Sequence, residues 1–171
     1  QFRILLAMAP IDIKMNFKTL DWRDGVLYLL DQRALTGRVD MLPCRGVMDV
    51  YEAIRNLTVR GAPAIGVAAG YGIVLSLADD TASLDRAMAQ LNDDASRLKA
   101  ARPTAVNLAW AVDRMMRFAK SAIAGSTVEL RRALEQKARA IHREDQDMCH
   151  RIGANGVQFF RDGMNVLTHC N

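Results

Sequence analysis

Between Arg60 and Asp79 the chain runs from Gly61 to Ala78 without a single charge. Apolar surface on that scale must be taken out of water, so the placement of this stretch constrains everything around it. It is at the lower edge of the length that crosses a bilayer, and Gly66 and Gly70 form the Gly-x-x-x-Gly contact motif found there. Against a membrane span stand Gly72 as a further glycine, the absence of an aromatic belt, and amphipathic flanking segments that need a core to pack on. The stretch is read as a central buried helix, Pro63 to Ala78, whose small residues let neighbouring backbones come close. No membrane partner is expected.

The flanking segments carry the helical period. Val47, Val50, Tyr51, Ile54 and Leu57 recur at three and four spacing and stop at Val59-Arg60-Gly61. Ser83 to Ala101 and Thr104 to Ala124 each put apolar positions on one face and charges on the other. Arg102-Pro103-Thr104 divides them, with Pro103 expected in the first turn of the later helix, where its missing donor costs nothing. Ser126 as N-cap and Glu129 three residues on form a capping box opening another helix. That helix runs through His142 and on toward Phe160, with an irregularity expected near Gly153. Upstream, the runs Phe17 to Leu20 and Val26 to Asp31 flank Arg23-Asp24-Gly25, and Asp-Gly is a strong hairpin signal. Arg161-Asp162-Gly163 turns the chain into an apolar, β-branched segment, Val166 to Asn171, that reads as a strand without a following helix.

The expected fold is therefore mainly α with a small N-terminal antiparallel β-sheet. Residues 1–163 form a hairpin-plus-helical-bundle domain, and 164–171 the first strand of something further. At 171 residues one core suffices, and the final strand points to a chain that is part of a longer one. Residues Ile4 to Ala9 are too short an apolar run for a signal peptide.

Charge and cysteine content narrow the setting. The net charge of +4 comes from 23 basic and 19 acidic residues with no long like-charged run, so nucleic acid is not an expected partner. Eighteen of the 23 basic residues are arginine, whose planar fork grips phosphate or carboxylate bidentately, which favours a small anionic ligand. Cys44, Cys149 and Cys170 form no disulfide framework, which suits a reducing, cytoplasmic compartment. Cys44, in a loop before a helix, reads as a free structural thiol. His142, Cys149, His150, His169 and Cys170 match no zinc spacing, and no metal or other cofactor is expected.

Two helix starts share an arginine: Arg60-Gly61-Ala62-Pro63 and Arg102-Pro103-Thr104. A helix N-terminus offers free backbone donors and a partial positive charge, and an adjacent arginine adds a clamp. Gly61 lets the backbone approach a ligand closely. Spacing leaves open whether the two ends converge. Cys170, at the end of the final strand, sits where open α/β sheets carry reactive groups, though a small buried residue is the more usual role for cysteine and the one spacing alone favours. His169 points to the opposite face of such a strand.

As a run, Val59-Arg60-Gly61-Ala62-Pro63-Ala64-Ile65-Gly66-Val67-Ala68-Ala69-Gly70-Tyr71-Gly72 resembles the N-terminal signature of the methylthioribose-1-phosphate isomerase family. Arg102-Pro103-Thr104-Ala105-Val106-Asn107-Leu108 resembles that family's second block, and Leu167-Thr168-His169-Cys170-Asn171 its third. Leu20-Asp21-Trp22 and Asp31-Gln32-Arg33 are also similar. The resemblance implies a cofactor-free aldose–ketose isomerase of methionine salvage, a homodimer that holds a sugar phosphate between a helical N-terminal domain and a Rossmann-like C-terminal domain. On that basis 164–171 is the first strand of a truncated Rossmann-like domain. Carried over by position, Arg60, Gly61 and Ala62 contact the substrate, Arg102 holds its phosphate and Cys170 is the catalytic cysteine. The family's catalytic aspartate belongs to the portion beyond Asn171, so this chain alone is expected to be inactive. Two alternatives remain: an isomerase of deoxyribose or ribose 1-phosphates, and a non-catalytic regulatory subunit like those of translation initiation factor 2B.

Overall fold

The structure, a computed structural model, describes residues 18–35, 37–77 and 82–167. Among these residues three strands and five helices follow one another: β1 (Leu20–Arg23), β2 (Val26–Leu30), β3 (Met41–Cys44), α1 (Val47–Arg55), α2 (Ala62–Leu75), α3 (Leu84–Ala101), α4 (Val106–Ser121) and α5 (Thr127–Gly156). A 3-10 turn, Val157–Phe159, closes α5. The protein is mainly helical with a small antiparallel sheet, as its sequence leads one to expect.

The sheet has the order β1-β2-β3. Asp24 and Gly25, both at positive φ (50° and 75°), make the two-residue turn that pairs Arg23 with Val26. The first described strand is Leu20–Arg23, running past the expected end at Leu20 because a two-residue turn leaves Arg23 in the ladder, while Phe17 lies outside the described residues. Leu20 and Trp22 on β1 and Leu27 and Leu29 on β2 are buried. β3 corrects the expectation of a loop around Cys44. Pro43 sits opposite Tyr28 on an edge strand, where a missing N–H is tolerated. Cys44 closes β3, and burial, aided by the charge of Asp49, pushes its thiol up to about 12. Cys149 is exposed on α5. Native-state maleimide labelling followed by peptide mapping is therefore expected to modify Cys149 and spare Cys44.

The uncharged stretch is α2, buried from Ile65 to Leu75 and packed against α1, α3, α4 and α5. At about 1.5 Å per residue its 14 residues reach roughly 21 Å, well short of a bilayer core. No helix among the described residues is long and apolar enough to cross a membrane. Each buried Val, Leu or Ile here contributes about 1.5–3 kcal/mol, so a helix without a polar face is stable only at the centre of other helices. Ala68, Ala69 and Gly70 leave room for those helices.

Helix ends follow local chemistry. The Ser83 hydroxyl accepts from the Arg86 N–H, starting α3 where the sequence indicates. Ser126 Oγ accepts from the Glu129 N–H, while Glu129 Oε2 takes the Gly125 N–H at 2.7 Å, one residue earlier than an ideal box. Several bounds differ from expectation, α2 ending at Leu75 before Ala78 and α4 at Ser121 before Ala124. α4 begins at Val106 and not Thr104: a residue before proline is driven to extended backbone, and Arg102 (φ −149°, ψ 87°) opens a turn in which the Ala105 N–H donates to its carbonyl. α5 runs unbroken through Gly153, and the irregularity is the 3-10 turn after Gly156. Met164 to Leu167 forms no strand, and among the described residues no strand lies beside it to supply hydrogen bonds. The rest of the expected final strand, Thr168 to Asn171, lies outside the described residues.

Candidate functional site at two converging helix ends

The α1–α2 connection is held by short polar contacts. Asn56 Oδ1 accepts from the Thr58 N–H and hydroxyl at 3.1 and 2.7 Å, and the Val59 N–H donates to the Ala53 carbonyl. This delivers half-buried Arg60 to the start of α2. Its Nε donates to the Leu57 carbonyl at 3.4 Å, and the Arg60 carbonyl accepts from Gln32 Nε2. Gly61 is the N-cap at φ 88°, a conformation that strains any other residue. A Cβ built on Gly61 meets nothing within 4 Å, so the space over this helix end is open to a ligand.

Arg102 is the C-cap of α3, half-buried, four residues before α4. What spacing left open, the packing of α2 on α4 decides for the helix ends: a Cβ at Gly66 would lie 3.0 Å from the Asn107 carbonyl oxygen. The first turns of α2 and α4 are thus neighbours, and Pro63, Val106 and Asn107 line one shared cleft of about 530 Å³. Among the described residues no carboxylate pairs with either Arg60 or Arg102. Neither arginine lines the cleft itself; both precede the helices that do. Cys170 and His169 lie outside the described residues. Among the described residues no group of three or more His, Cys, Asp or Glu is placed to hold a metal ion.

The far wall of the cleft comes from α5, through Ile141, Glu144, Asp145, Met148 and Arg151. Arg114 on α4 grips Glu144 bidentately at 2.5 and 2.7 Å, lowering the Glu144 carboxyl below its usual range and fixing the two helices at the cleft. The Arg114 guanidinium also lies 5.2 Å from the Trp110 ring centroid. None of these cleft residues was singled out from sequence. Glu144 lies 30 positions from Arg114, a separation with no periodic signature, and the apolar i, i+4 positions Val106 and Trp110 read as ordinary helix-face residues.

Behind the cleft, Tyr71 stacks on Trp22 with ring centroids 4.8 Å apart, and its hydroxyl hydrogen-bonds His142 Nδ1 at 3.2 Å. Trp22 Nε1 donates to Glu135, which also accepts from Arg139. Burial pushes the Tyr71 hydroxyl up to about 12 and lowers the His142 imidazole from its ordinary value, with Asp145 opposing the latter shift. Because the folded His142 binds its proton less readily than the unfolded one, its stabilising effect is complete above about pH 6.5 and is lost as the pH falls. Denaturant unfolding is expected to show lower stability at pH 5.5 than at 7.5, with the gap narrowed in His142→Gln.

Residues 58–171 match the Initiation factor 2 subunit family. The chain is 49% identical over 146 residues to a methylthioribose-1-phosphate isomerase of Gemmatimonas aurantiaca, covering 85% of this chain and 42% of the relative. It is 40% identical over 153 residues to a 5-deoxyribose 1-phosphate isomerase of Bacillus cereus, covering 89% of this chain and 44% of the relative. Among solved structures, 5-methylthioribose 1-phosphate isomerase from Pyrococcus horikoshii superposes with a TM-score of 0.80 at 33% identity, covering 85% of this chain and 41% of that one. Translation initiation factor eIF-2B subunit delta from A. fulgidus does so with a TM-score of 0.79 at 32% identity, covering 86% and 43%. This chain therefore spans less than half the length of the relatives it matches. With the match extending over residues 58–171, the chain belongs to the initiation factor 2 subunit family.

Proposed function

We propose that the chain is the helical N-terminal portion of an aldose–ketose isomerase, an intramolecular oxidoreductase that converts 5-methylthioribose 1-phosphate to 5-methylthioribulose 1-phosphate. The observation that carries this reading is the meeting of the α2 and α4 N-termini at one cleft, each preceded by an arginine without a carboxylate partner among the described residues. Two helix dipoles and two guanidinium groups suit a phosphate dianion. The 49% identity to a methylthioribose-1-phosphate isomerase favours this substrate among sugar phosphates.

In this reading Arg102 holds the phosphate, Arg60, Gly61 and Ala62 contact the substrate, and Cys170 is catalytic. A sugar phosphorylated at its anomeric carbon cannot open as a free hemiacetal does. Ring opening needs an acid, and the ketose forms when hydrogen moves between adjacent carbons. General acid–base groups are worth roughly a hundred- to ten-thousand-fold each in such steps. A thiol near its usual pKa of about 8.5 needs cationic neighbours to act as thiolate at neutral pH, and the phosphate-binding arginines supply that field. In this reading a Rossmann-like domain beginning at 164 supplies the partner acid. This chain alone is then inactive, and the complete enzyme is a cytoplasmic homodimer.

The likeness to an initiation factor subunit supports a second reading, a non-catalytic subunit that binds sugar phosphate as a signal. Isomerase assay of the complete protein and of Cys170→Ser separates the two. Turnover that falls at least a thousand-fold in the variant supports catalysis, whereas tight binding of the sugar phosphate without turnover supports the regulatory reading.

A further inference from the structure

Behind the cleft, one titratable side chain joins α5 to α2. His142 is half-buried on α5, in the same stretch as Ile141, Glu144 and Asp145, and its ring meets that of Tyr71 edge-on with centroids 5.9 Å apart. Tyr71 is 1% exposed, and among the described residues its hydroxyl has no hydrogen-bond partner but His142 Nδ1. The hydroxyl therefore donates to Nδ1, and the neutral ring carries its hydrogen on Nε2. Nε2 lies 3.2 Å from the exposed amide of Gln146, which can turn either its oxygen or its nitrogen to the ring. An imidazolium, by contrast, has no acceptor. A proton on Nδ1 meets the Tyr71 hydroxyl hydrogen, which must swing into a packed interior where Tyr71 stacks on Trp22. A buried donor without a partner is costly. Asp145 Oδ1, three residues along α5 from His142, is buried with no hydrogen-bond partner among the described residues and would gain one from the new cation. Of the charges around His142, Asp145 and Asp21 favour the cation, while Arg139 and Lys18 oppose it; α2 carries no charge and presents Tyr71.

We propose that His142 is a proton-operated latch between α2 and α5: neutral, it holds Tyr71, and protonated, it leaves Tyr71 for Asp145 and loosens the grip on an anion at the two helix ends. The inference rests on the reading of those ends as an anion site and adds its regulation by pH. α5 packs on α2, and through Glu144 it holds Arg114 of α4, so a shift of α5 reaches both helices whose N-termini form the site. Burial lowers the His142 imidazole from its ordinary value, so the ring is neutral at pH 7.5 and takes up its proton as the pH falls below about 6.5. The direction of the effect is diagnostic. A cation acting through space tightens anion binding on acidification, whereas release of the latch weakens it.

The test measures calorimetric Kd for sulfate, a dianion throughout this range, at pH 7.5 and 5.2 in the complete protein, in His142→Gln and in Tyr71→Phe. Relative to His142→Gln, whose side chain is neutral at both pH values, the wild type is expected to lose about fivefold in affinity on acidification. Tyr71→Phe keeps the ring stack, removes the hydroxyl that must reverse, and is expected to abolish that difference. Linkage supplies a check on the wild type alone: saturating sulfate is expected to lower the His142 titration midpoint, read from its imidazole NMR shifts, by about 0.7 pH units, the logarithm of the same fivefold factor. Sulfate binding that tightens on acidification relative to His142→Gln, or a His142 midpoint that sulfate leaves unmoved, overturns the latch while the anion site stands. No sulfate binding at either pH overturns the latch together with the anion site beneath it.

Discussion

Arg102→Ala in the complete protein is expected to lower kcat/KM for 5-methylthioribose 1-phosphate by about a hundred- to a thousand-fold. A guanidinium fork on a phosphate makes two charge-assisted hydrogen bonds, each worth about 1.5–3 kcal/mol, and about 1.4 kcal/mol corresponds to a factor of ten. Arg102→Lys keeps the charge and loses the fork, so part of the loss returns. Arg60→Ala is expected to behave similarly. The double variant carries the more informative result. If both arginines hold one phosphate, the second removal costs less than the first, because the anion has already been loosened. Losses that multiply would place the two side chains at separate sites, although the helix ends they precede meet at Gly66 and Asn107. Weakened inhibition by inorganic phosphate in each single variant checks that the lost contact is to the anion.

Gly66→Val is expected to destabilise the fold by about 3 kcal/mol, a fall in Tm of roughly 10 °C read by calorimetry or circular dichroism. Even a single Cβ at Gly66 would lie 3.0 Å from the Asn107 carbonyl oxygen and 3.5 Å from Ala111 Cβ. The obstacle is backbone, so relief requires α2 and α4 to separate. Separation opens the packed layer between them and moves the two helix ends that form the cleft. Gly70 supplies the contrast. A Cβ there finds Ala138 Cβ at 3.9 Å, an ordinary contact, so Gly70→Ala is expected to add about 0.5–1 kcal/mol through helix propensity alone. Two glycines one turn apart thus respond in opposite directions, and only the neighbour across the helix decides the sign.

Much of the architecture was legible because its causes are local. The starts of α3 at Ser83 and α5 at Ser126 follow from a hydroxyl three residues before a free N–H, and the hairpin from Asp24-Gly25. The errors arose where a non-local partner outweighed a local preference. β3 forms despite Pro43 because β2 offers it an edge. Arg60, Gly61, Ala62 and Arg102 could be picked out as anion-favouring because an arginine before a helix start is itself a short-range feature. Trp110, Asp145 and Met148 could not, since nothing along the chain relates α4 to the far half of α5.

The sequence by itself determined that most of the uncharged stretch had to be taken out of water, as Ile65 to Leu75 are, and that amphipathic helices would surround it. It also marked Arg60 and Arg102, each ahead of a helix start, as candidate anion ligands. Only the tertiary structure decided that the α2 and α4 N-termini meet, that an apolar wall and an unpaired carboxylate oxygen stand beside them, and that Arg114 clamps the wall through Glu144. Those outcomes depend on how closely two helices can approach, which is a property of both surfaces in contact and of neither segment alone.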